Sequence, residues 1–163
     1  MHFKTADLCD EFSDSLQICE PGFISFGALT RFAGEISTIK CFEDNSLVRE
    51  AVGEPGLGRV LVVDAGGSRR CAMLGDLLAA KAVENGWSGV LLNGMIRDSV
   101  DIGTMPIGVK ALGTHPLKSV KKGVGERDVP VRFGGVEFLP GAYLYADEDG
   151  ILCSPAEFPL GDL

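Results

Sequence analysis

The sequence is short of the features that mark several common functional classes. No run of Lys or Arg is longer than a pair, and the formal net charge is -8 over 163 residues. The clustered cations that bind nucleic-acid phosphates are therefore missing. No apolar stretch approaches the roughly 18 residues of a membrane span, and the first residues do not resemble a signal peptide. We expect a cytoplasmic protein that binds neither nucleic acid nor membranes.

Disulfide and nucleotide-binding motifs are absent as well. The five cysteines form no C-x-x-C pair, which is typical of buried, reduced thiols rather than of disulfides or a catalytic thiol. They are Cys9, Cys19, Cys41, Cys71 and Cys153. The glycine-rich segment 65–68 lacks both the G-x-G-x-x-G spacing and a P-loop lysine, so it does not predict a nucleotide site.

The composition that remains is that of an ordinary globular domain with many turns. Hydrophobic residues make up 45% and charged residues 23%, and there are 22 glycines. A chain of this length buries roughly 70% of its unfolded surface as one domain, so we expect a single domain over residues 1–163. Mixed α/β structure is predicted, with helices concentrated in the first half and a β-rich second half.

The N-terminal half contains two predicted helices and a strand before its central unit. One helix covers residues 5–12 and is capped by Thr5. A second helix has its N-cap within residues 44–46 and runs to Val52. Residues 34–41 alternate as a half-buried strand. Its Glu35 lies on the polar face, where it is either solvated or available to a neighbouring site.

After Asp101 the pattern changes to short strands between glycine-containing turns. They are predicted over residues 105–112, 129–133, 136–138, 143–146 and 151–153. The charges of residues 123–128 are interpreted as solvated loop charges, and His115 as incidental.

The central unit brings three charged residues together. Residues 58–64, GRVLVVD, and residues 89–92 form two buried strands, the second ended by Asn93-Gly94, and residues 74–86 between them form a helix opened by Gly75-Asp76. If the strands are parallel, Asp76 at the helix N-terminus lies at the same sheet edge as Arg97 and Asp98. An extra short strand within residues 68–73 would alter the crossover without moving Asp76.

The D-x20-R-D spacing of these residues has two interpretations. Charged pairs at strand ends are commonly solvated or form structural ion pairs, and on three residues alone that interpretation is preferred. The position of all three at the carboxyl edge of an α/β sheet, where ligands bind, favours a functional site.

Longer stretches resemble the RraA-like family, which includes class II 4-hydroxy-4-methyl-2-oxoglutarate aldolases and regulators of ribonuclease E activity. The resemblance covers nearly the whole chain and is carried by TADLCDEFSD, ISTIKCFEDN, GRVLVVDAGGSRRCAMLGDLLA, WSGVLLNGMIRD and FGGVEFLPGAYLYADEDGIL. It implies a three-layer β/β/α fold of the swivelling-domain type, assembled as a homotrimer, with a divalent metal such as Mg²⁺ or Mn²⁺.

The resemblance also implies residue roles. The family's substrate loop falls on Gly75, Asp76, Leu77 and Leu78, its substrate arginine on Arg97 and its metal ligand on Asp98. Some regulators lack the aspartate after the arginine, so this chain matches the catalytic branch. Arg97 would bind the oxygens of a 2-oxo acid through its planar fork, amides after Gly75 would receive a carboxylate, and Asp76 would help to move a proton.

The expected activity is cleavage of 4-hydroxy-4-methyl-2-oxoglutarate to two pyruvates, with decarboxylation of oxaloacetate through the same pyruvate enolate. Two alternatives remain open. One is a non-catalytic inhibitor that binds a ribonuclease E-type protein through its acidic surface, and the other is a carrier that binds pyruvate without turnover. The substitution Asp98→Asn would distinguish catalysis from inhibition, because only catalysis needs the negative charge of Asp98.

Overall fold

The computed structural model describes residues 2–159 as a strand-rich sheet covered by helices on one face and by a second β layer on the other. The helices are α1 (Thr5–Phe12), α2 (Ser46–Val52), α3 (Asp76–Glu84) and α4 (Ser99–Ile102). The strands are β1 (Gln17–Ile18), β2 (Ile24–Ser25), β3 (Phe32–Lys40), β4 (Val60–Asp64), β5 (Ala72–Leu74), β6 (Gly89–Ile96), β7 (Gly108–Thr114), β8 (Glu126–Arg127), β9 (Val131–Phe133), β10 (Val136–Phe138), β11 (Tyr143–Ala146) and β12 (Ile151–Ser154). No helix within residues 2–159 has the length and apolar character needed to cross a membrane.

Strand β3 connects the two β layers. Its first half pairs antiparallel with β11, from Phe32 opposite Ala146, and its second half pairs parallel with β4, from Ile36 opposite Val60. The main order is β1-β12-β11-β3-β4-β6-β7-β2. One long strand therefore belongs to both layers.

The two faces of the central strands bury different cores. On one face, Leu61 and Val63 of β4 pack with α2 and α3, while on the other Val60 and Val62 pack against the second β layer, including Phe138. Strands covered on both faces are apolar throughout rather than alternating. This arrangement confirms the expected three-layer α/β fold.

The Phe32 ring packs into the space left by two glycines, which have no side chain. A Cβ at either Gly89 or Gly108 would overlap the Phe32 ring. Any side chain there would have to displace a 3% exposed aromatic residue from the core. These two glycines serve close packing rather than turns.

Several predicted elements differ in detail. The strand predicted over residues 34–41 is buried on both faces except at Glu35 and Lys40, because both layers cover it. Thr5 does not cap α1, since Lys4 is the N-cap residue. Thr5 instead donates hydrogen bonds from its amide and hydroxyl to the buried Asp147 carboxylate, at 2.7 and 2.6 Å.

The boundaries of the later strands also shift. Strand β7 begins at Gly108 rather than at residue 105, and β9 begins at Val131 rather than at residue 129. A proline, which has no amide hydrogen for the ladder, lies within each unpaired stretch. The segment predicted as a solvated loop contains β8, and its Arg127 pairs with Glu54 at 2.7 Å in a half-buried position.

Candidate active site

The central crossover has the predicted parallel geometry. Strands β4 and β6 pair parallel from Val60 opposite Gly89 to Asp64 opposite Asn93, with α3 between them in sequence. Asn93-Gly94 does not end β6 as predicted, because the short strand β5 takes the place of β4 beside it from Met95 onwards. The extra strand considered from the sequence is therefore present, at Ala72–Leu74, and β6 extends to Ile96.

The three predicted charged residues meet where β5 and β6 end. The Arg97 amide donates to the Leu74 carbonyl at 2.9 Å, which places the residue beside the start of α3. The Asp76 amide donates to Asp98 Oδ2 at 3.0 Å, and Arg97 Nε lies 3.9 Å from the same oxygen. The predicted convergence of Asp76, Arg97 and Asp98 is thus present in one chain.

Asp98 reaches this position through an unusual backbone conformation. Its φ of 56° and ψ of 41° are left-handed, a region that costs a non-glycine residue about 1 kcal/mol or more. The same residue accepts the first hydrogen bond of α4, from Ile102 at 2.9 Å. The turn directs the Asp98 carboxylate back onto the N-terminus of α3.

Gly75 allows this close approach. A Cβ at this position would lie 2.9 Å from Asp98 Oδ2 and 3.4 Å from Arg97 Nε. A side chain would therefore force the carboxylate away from the helix N-terminus. The glycine of the G-D-L-L segment is needed for space, since its φ of -124° is ordinary for any residue.

The amides at the start of α3 already have partners within the chain. Asp98 accepts from the Asp76 amide, and Asp76 Oδ1 accepts from the Leu77 amide at 2.8 Å. A substrate carboxylate at this helix N-terminus would have to replace one of these acceptors or use a later amide. The role of these amides in substrate binding stays a prediction.

A pocket of about 300 Å³ opens beside these residues. Five predicted site residues line it, namely Gly75, Asp76, Leu77, Leu78 and Arg97. Asp98 is not a lining residue but adjoins the pocket through its contacts with Gly75 and Asp76. The other lining residues are Asn45, Arg49, Ala72, Leu74, Lys81, Lys118 and Lys121.

The additional polar lining of the pocket is not predicted by the sequence. Asn45 immediately precedes α2, and Arg49 lies within that helix. The segment after β7 contributes Lys118 and Lys121. No local pattern connects these segments with residue 97. The lysine pair at spacing three in LKSVKK was the one available signal, and it is equally typical of a solvated loop.

Two other residues considered from the sequence lie elsewhere. Glu35 comes just before Ile36, which is paired with Val60 and, through it, with Gly89 at the start of the parallel strands. Glu35 is therefore at the sheet edge opposite to Arg97 and does not reach the pocket of its own chain. His115 follows β7, where its amide donates to the Ile96 carbonyl at 2.9 Å and its Nδ1 accepts from Leu117 at 3.1 Å. Its observed contacts shape the following segment.

The cysteines have the environment of structural thiols. All five are free, and all but Cys9 are buried. Burial is the main cause that raises the pKa of Cys41 to about 12 and the pKa of Cys19 and of Cys153 to about 11. A thiol held in its neutral form is a poor nucleophile.

The donors at the site are carboxylate oxygens, which suit a hard divalent cation rather than a metal bound by Cys or His side chains. Within residues 2–159, no three His, Cys, Asp or Glu side chains form a group that could hold a metal. Asp98 offers a carboxylate whose Oδ2 already accepts a hydrogen bond from the Asp76 amide, and Asp76 carries a second carboxylate, whose Oδ1 accepts from the Leu77 amide. Oxygen donors in such small number fit Mg²⁺ or Mn²⁺, which retain waters and bind substrate oxygens.

The chain is similar to known proteins over almost its whole length. Residues 5–153 match the sequence pattern of the family described as RraA-like, Aldolase/RraA. A protein of Laribacter hongkongensis, provisionally named 4-hydroxy-4-methyl-2-oxoglutarate aldolase, is 66% identical over 155 residues, covering 95% of this chain and 98% of that protein. A protein of Alkalilimnicola ehrlichii with the same provisional name is 59% identical over 152 residues, covering 93% and 94%.

Solved structures with the same fold carry other functional names. The RNA-processing inhibitor RraA from Thermus thermophilis is 46% identical with a TM-score of 0.94, covering 99% of this chain and 98% of that one. A structure from Geobacillus kaustophilus described as an S-adenosylmethionine: 2-dimethylmenaquinone methyltransferase is 56% identical with a TM-score of 0.93, covering 96% and 97%. Likeness of fold alone therefore does not select an activity.

Proposed function

The chain belongs to the RraA-like family, and from this premise we propose that it is a metal-dependent aldolase that cleaves 4-hydroxy-4-methyl-2-oxoglutarate into two pyruvates. Aldolase-named relatives at high identity support the aldolase assignment. The observation that carries the finer proposal is the meeting of Asp76, Arg97 and Asp98 beside one pocket. An aldol cleavage needs an acid-base group and positive charge near the developing enolate, and these residues supply both.

Each residue has a distinct role in this proposal. The Arg97 guanidinium binds the oxygens of the 2-oxo acid and stabilises the negative charge that develops on the oxo oxygen. Asp76 accepts the proton of the C4 hydroxyl as the carbon-carbon bond breaks, either directly or through a water. Asp98 would hold a divalent cation, which when bound supplies further positive charge for the enolate.

The same machinery would serve oxaloacetate decarboxylation. Loss of CO₂ from oxaloacetate leaves a pyruvate enolate, as aldol cleavage does. Arg97 should therefore stabilise both transition states, whichever fragment departs. Asp76 is needed mainly in the aldol reaction, because decarboxylation removes no hydroxyl proton.

We also propose a homotrimer. Several large apolar side chains around the site are exposed in the single chain, among them Leu77, Val100 and Leu117 at 78%, 84% and 59%. Exposed apolar side chains beside a site are typical of an interface. A trimer of the 17.3 kDa chain would have a mass of about 52 kDa and closed cyclic symmetry.

A second candidate function is inhibition of a ribonuclease E-type protein. It is supported by the structural likeness to the RNA-processing inhibitor from Thermus thermophilis and by the net charge of -8. Protein binding through an acidic surface should tolerate Asp98→Asn, whereas catalysis should not. The two functions are compatible in one molecule.

A coupled assay of pyruvate release from both substrates tests the proposed activity. Chelator should abolish turnover, and Mg²⁺ or Mn²⁺ should restore it. Arg97→Ala should lower both rates together by roughly 10²–10³-fold, and Arg97→Lys should recover part of the loss, because a point charge does not reproduce the bidentate fork.

Arg69→Ala is the matched control, since Arg69 is an exposed arginine outside the pocket. Full turnover in excess chelator would contradict the metal-dependent mechanism. A hundredfold loss of one activity in Arg97→Ala with the other untouched would contradict the shared enolate.

A further inference from the structure

A second cavity is separate from the candidate active site. It has a volume of about 210 Å³ and shares no lining residue with the pocket beside Arg97. Its walls are the segment 19–23, between β1 and β2, and residues 148–151 at the turn between β11 and β12. Lys110 of β7 lines it as well and is its one cationic residue. The proposed chemistry does not use this cavity.

Lys110 points towards the second β layer. Its neighbours Val109 and Ala111 belong to the core that packs against α2 and α3, and successive side chains of a strand point to opposite faces. Leu91, which is opposite Lys110 on β6, packs in the other core. Lys110 is 4% exposed, and a lysine is rarely buried to this extent unless its charge is paired.

The hydrogen bonding of the buried ammonium is incomplete. An ammonium group has three donors, and Lys110 Nζ uses one, to the Asp147 carbonyl at 2.6 Å. It takes part in none of the ion pairs among residues 2–159. Burial lowers the pKa of the Lys110 amine, and the negative charges of Asp147, Glu148 and Asp149 offset part of this effect. An anionic group bound at Nζ would compensate more of the cost of burying the charge.

Hydrogen bonds hold both walls of the cavity in place. In the turn after β11, the Asp147 carboxylate accepts from the Asp149 amide at 2.9 Å, and the Asp147 amide donates to the Gly150 carbonyl at 3.1 Å. In the other wall, the Cys19 amide donates to the Ile151 carbonyl at 2.9 Å. The cavity is therefore a built feature of the fold rather than a gap between unattached loops.

Three exposed carboxylates line the same cavity, those of Glu20, Glu148 and Asp149. Glu148 already has partners, since it accepts from Thr30 at 2.9 Å and lies 3.8 Å from Arg31. Glu20 and Asp149 form no ion pair among the described residues. A buried cation together with two unpaired carboxylates repels a simple anion and attracts a ligand that carries both signs of charge.

The dimensions of the cavity indicate a small ligand. A volume of about 210 Å³ is below the roughly 300–1,000 Å³ of typical ligand pockets. Asp149 is two residues beyond the carbonyl that Lys110 contacts, a separation of at most about 7 Å along the chain. Phe23 and Ile151 add apolar lining. An α-amino acid has both charged groups on one carbon atom and a side chain for the apolar wall.

We propose that this cavity binds a free α-amino acid with an apolar side chain, its carboxylate at Lys110 Nζ and its ammonium at Asp149 and Glu20. The carboxylate accepts from the donors that the fold leaves open on Nζ, and such charge-assisted hydrogen bonds are stronger than neutral ones. The ammonium supplies the missing cationic partner of the two carboxylates. This site is independent of the proposed activity, because it has no residue in common with the candidate active site.

Ligands that differ in one charged group test the site. Alanine, valine, leucine and phenylalanine are titrated calorimetrically, each beside the analogue without the amino group and the analogue without the carboxylate. For leucine these analogues are 4-methylpentanoate and 3-methylbutylamine. At least one of the amino acids should bind more tightly than both of its analogues, by roughly tenfold or more. The proposal is overturned if no amino acid binds at millimolar concentration, or if those that bind do so no more tightly than an analogue.

Two variants assign the charged groups of the ligand to their partners. Lys110→Met keeps a long side chain at the buried position and should remove the advantage of the amino acid over the amine. Asp149→Asn, an exposed substitution, should remove the advantage over the carboxylic acid, and it carries the test alone if circular dichroism shows that Lys110→Met does not fold. Lys40→Met and Asp10→Asn are the matched controls, because both residues are exposed and lie outside the cavity. Equal losses in the folded variants and their controls would overturn the assignment.

NMR spectroscopy of the protein shows which cavity the amino acid occupies. Backbone amides of residues 19–23 and 148–151 should shift on titration, and those around Arg97 should not. Excess pyruvate should leave the binding of the amino acid unchanged. Shifts confined to residues around Arg97, or displacement by pyruvate, would place the ligand in the other pocket and refute this site.

Discussion

Replacing Asp44 by Asn should loosen the segment of residues 117–124 without replacing any residue that lines the pocket. Asp44 is 4% exposed, and its carboxylate accepts hydrogen bonds from Ser46, Lys122 and Val124 at 2.6 to 3.0 Å. An asparagine retains one acceptor oxygen but turns an NH₂ group towards amide donors. At least one partly buried amide would lose its acceptor, and leaving a donor without a partner is the costly way to break a hydrogen bond.

The pKa of Asp44 sets the magnitude of the expected loss in unfolding free energy. Burial alone raises the pKa of this carboxyl, but hydrogen bonds from Ser46, Val124 and Lys122 outweigh it and lower the pKa from 3.8 to about 2. One pKa unit corresponds to about 1.36 kcal/mol, so the ionised form contributes at most about 2.4 kcal/mol at neutral pH. Solvent screening near the surface reduces this figure, and we expect about 1–2 kcal/mol.

The pH dependence has a definite sign. The folded pKa of Asp44 lies below the unfolded value, so the stabilisation is complete above about pH 5 and decreases as the unfolded chain takes up a proton below about pH 4. It is lost as the pH falls through the folded pKa, near 2. The difference in unfolding free energy between wild type and Asp44→Asn should therefore be about 1 kcal/mol smaller at pH 3 than at pH 7.

Urea unfolding at one fixed protein concentration, at pH 7, 5 and 3, measures this difference. Hydrogen exchange reports the loop directly, since the amides of Lys122 and Val124 should lose protection in the variant. Asp10→Asn is the control, because Asp10 is an exposed carboxylate on α1. The reasoning would be refuted if the difference in unfolding free energy between wild type and Asp44→Asn were identical at pH 7 and pH 3. Unchanged protection of both amides would also refute it.

Two further predictions concern the site and the assembly. Gly75→Ala should lower turnover at least tenfold while the oligomer stays folded, because the new Cβ would lie 2.9 Å from Asp98 Oδ2 and displace that carboxylate. Steady-state kinetics together with circular dichroism test this prediction. Wild-type kinetics in the variant would contradict it. If a neighbouring subunit completes the site, Glu35→Gln should reduce activity with the trimer intact, although Glu35 lies at the opposite sheet edge of its own chain. Activity equal to wild type in a light-scattering-verified trimer would exclude that role, and a monomer at micromolar concentration would contradict the proposed assembly.

The sequence by itself determined the central unit and its charged residues. Two apolar runs with a helix between them and short connections predict a parallel crossover, because few other arrangements of such a unit are allowed. That topology places a helix N-terminus and the following strand end at one edge, and so Asp76, Arg97 and Asp98 could be brought together from local patterns alone. The three-layer architecture came from the family resemblance, because periodicity does not show which layer a buried strand joins.

Only the tertiary structure decided what surrounds these three residues. Strand β5 is three residues long and exists because β4 ends where β6 continues, a relation between strand ends that no local pattern reports. Besides Arg97, the cationic residues that line the pocket come from segments separated by up to 72 positions, from Arg49 to Lys121. They meet because residues 117–124 cross to β5 and bind Asp44. Register and loop path are long-range properties, settled by which buried polar groups find partners when the layers pack, and for that reason the cationic end of the pocket became visible only in the folded chain.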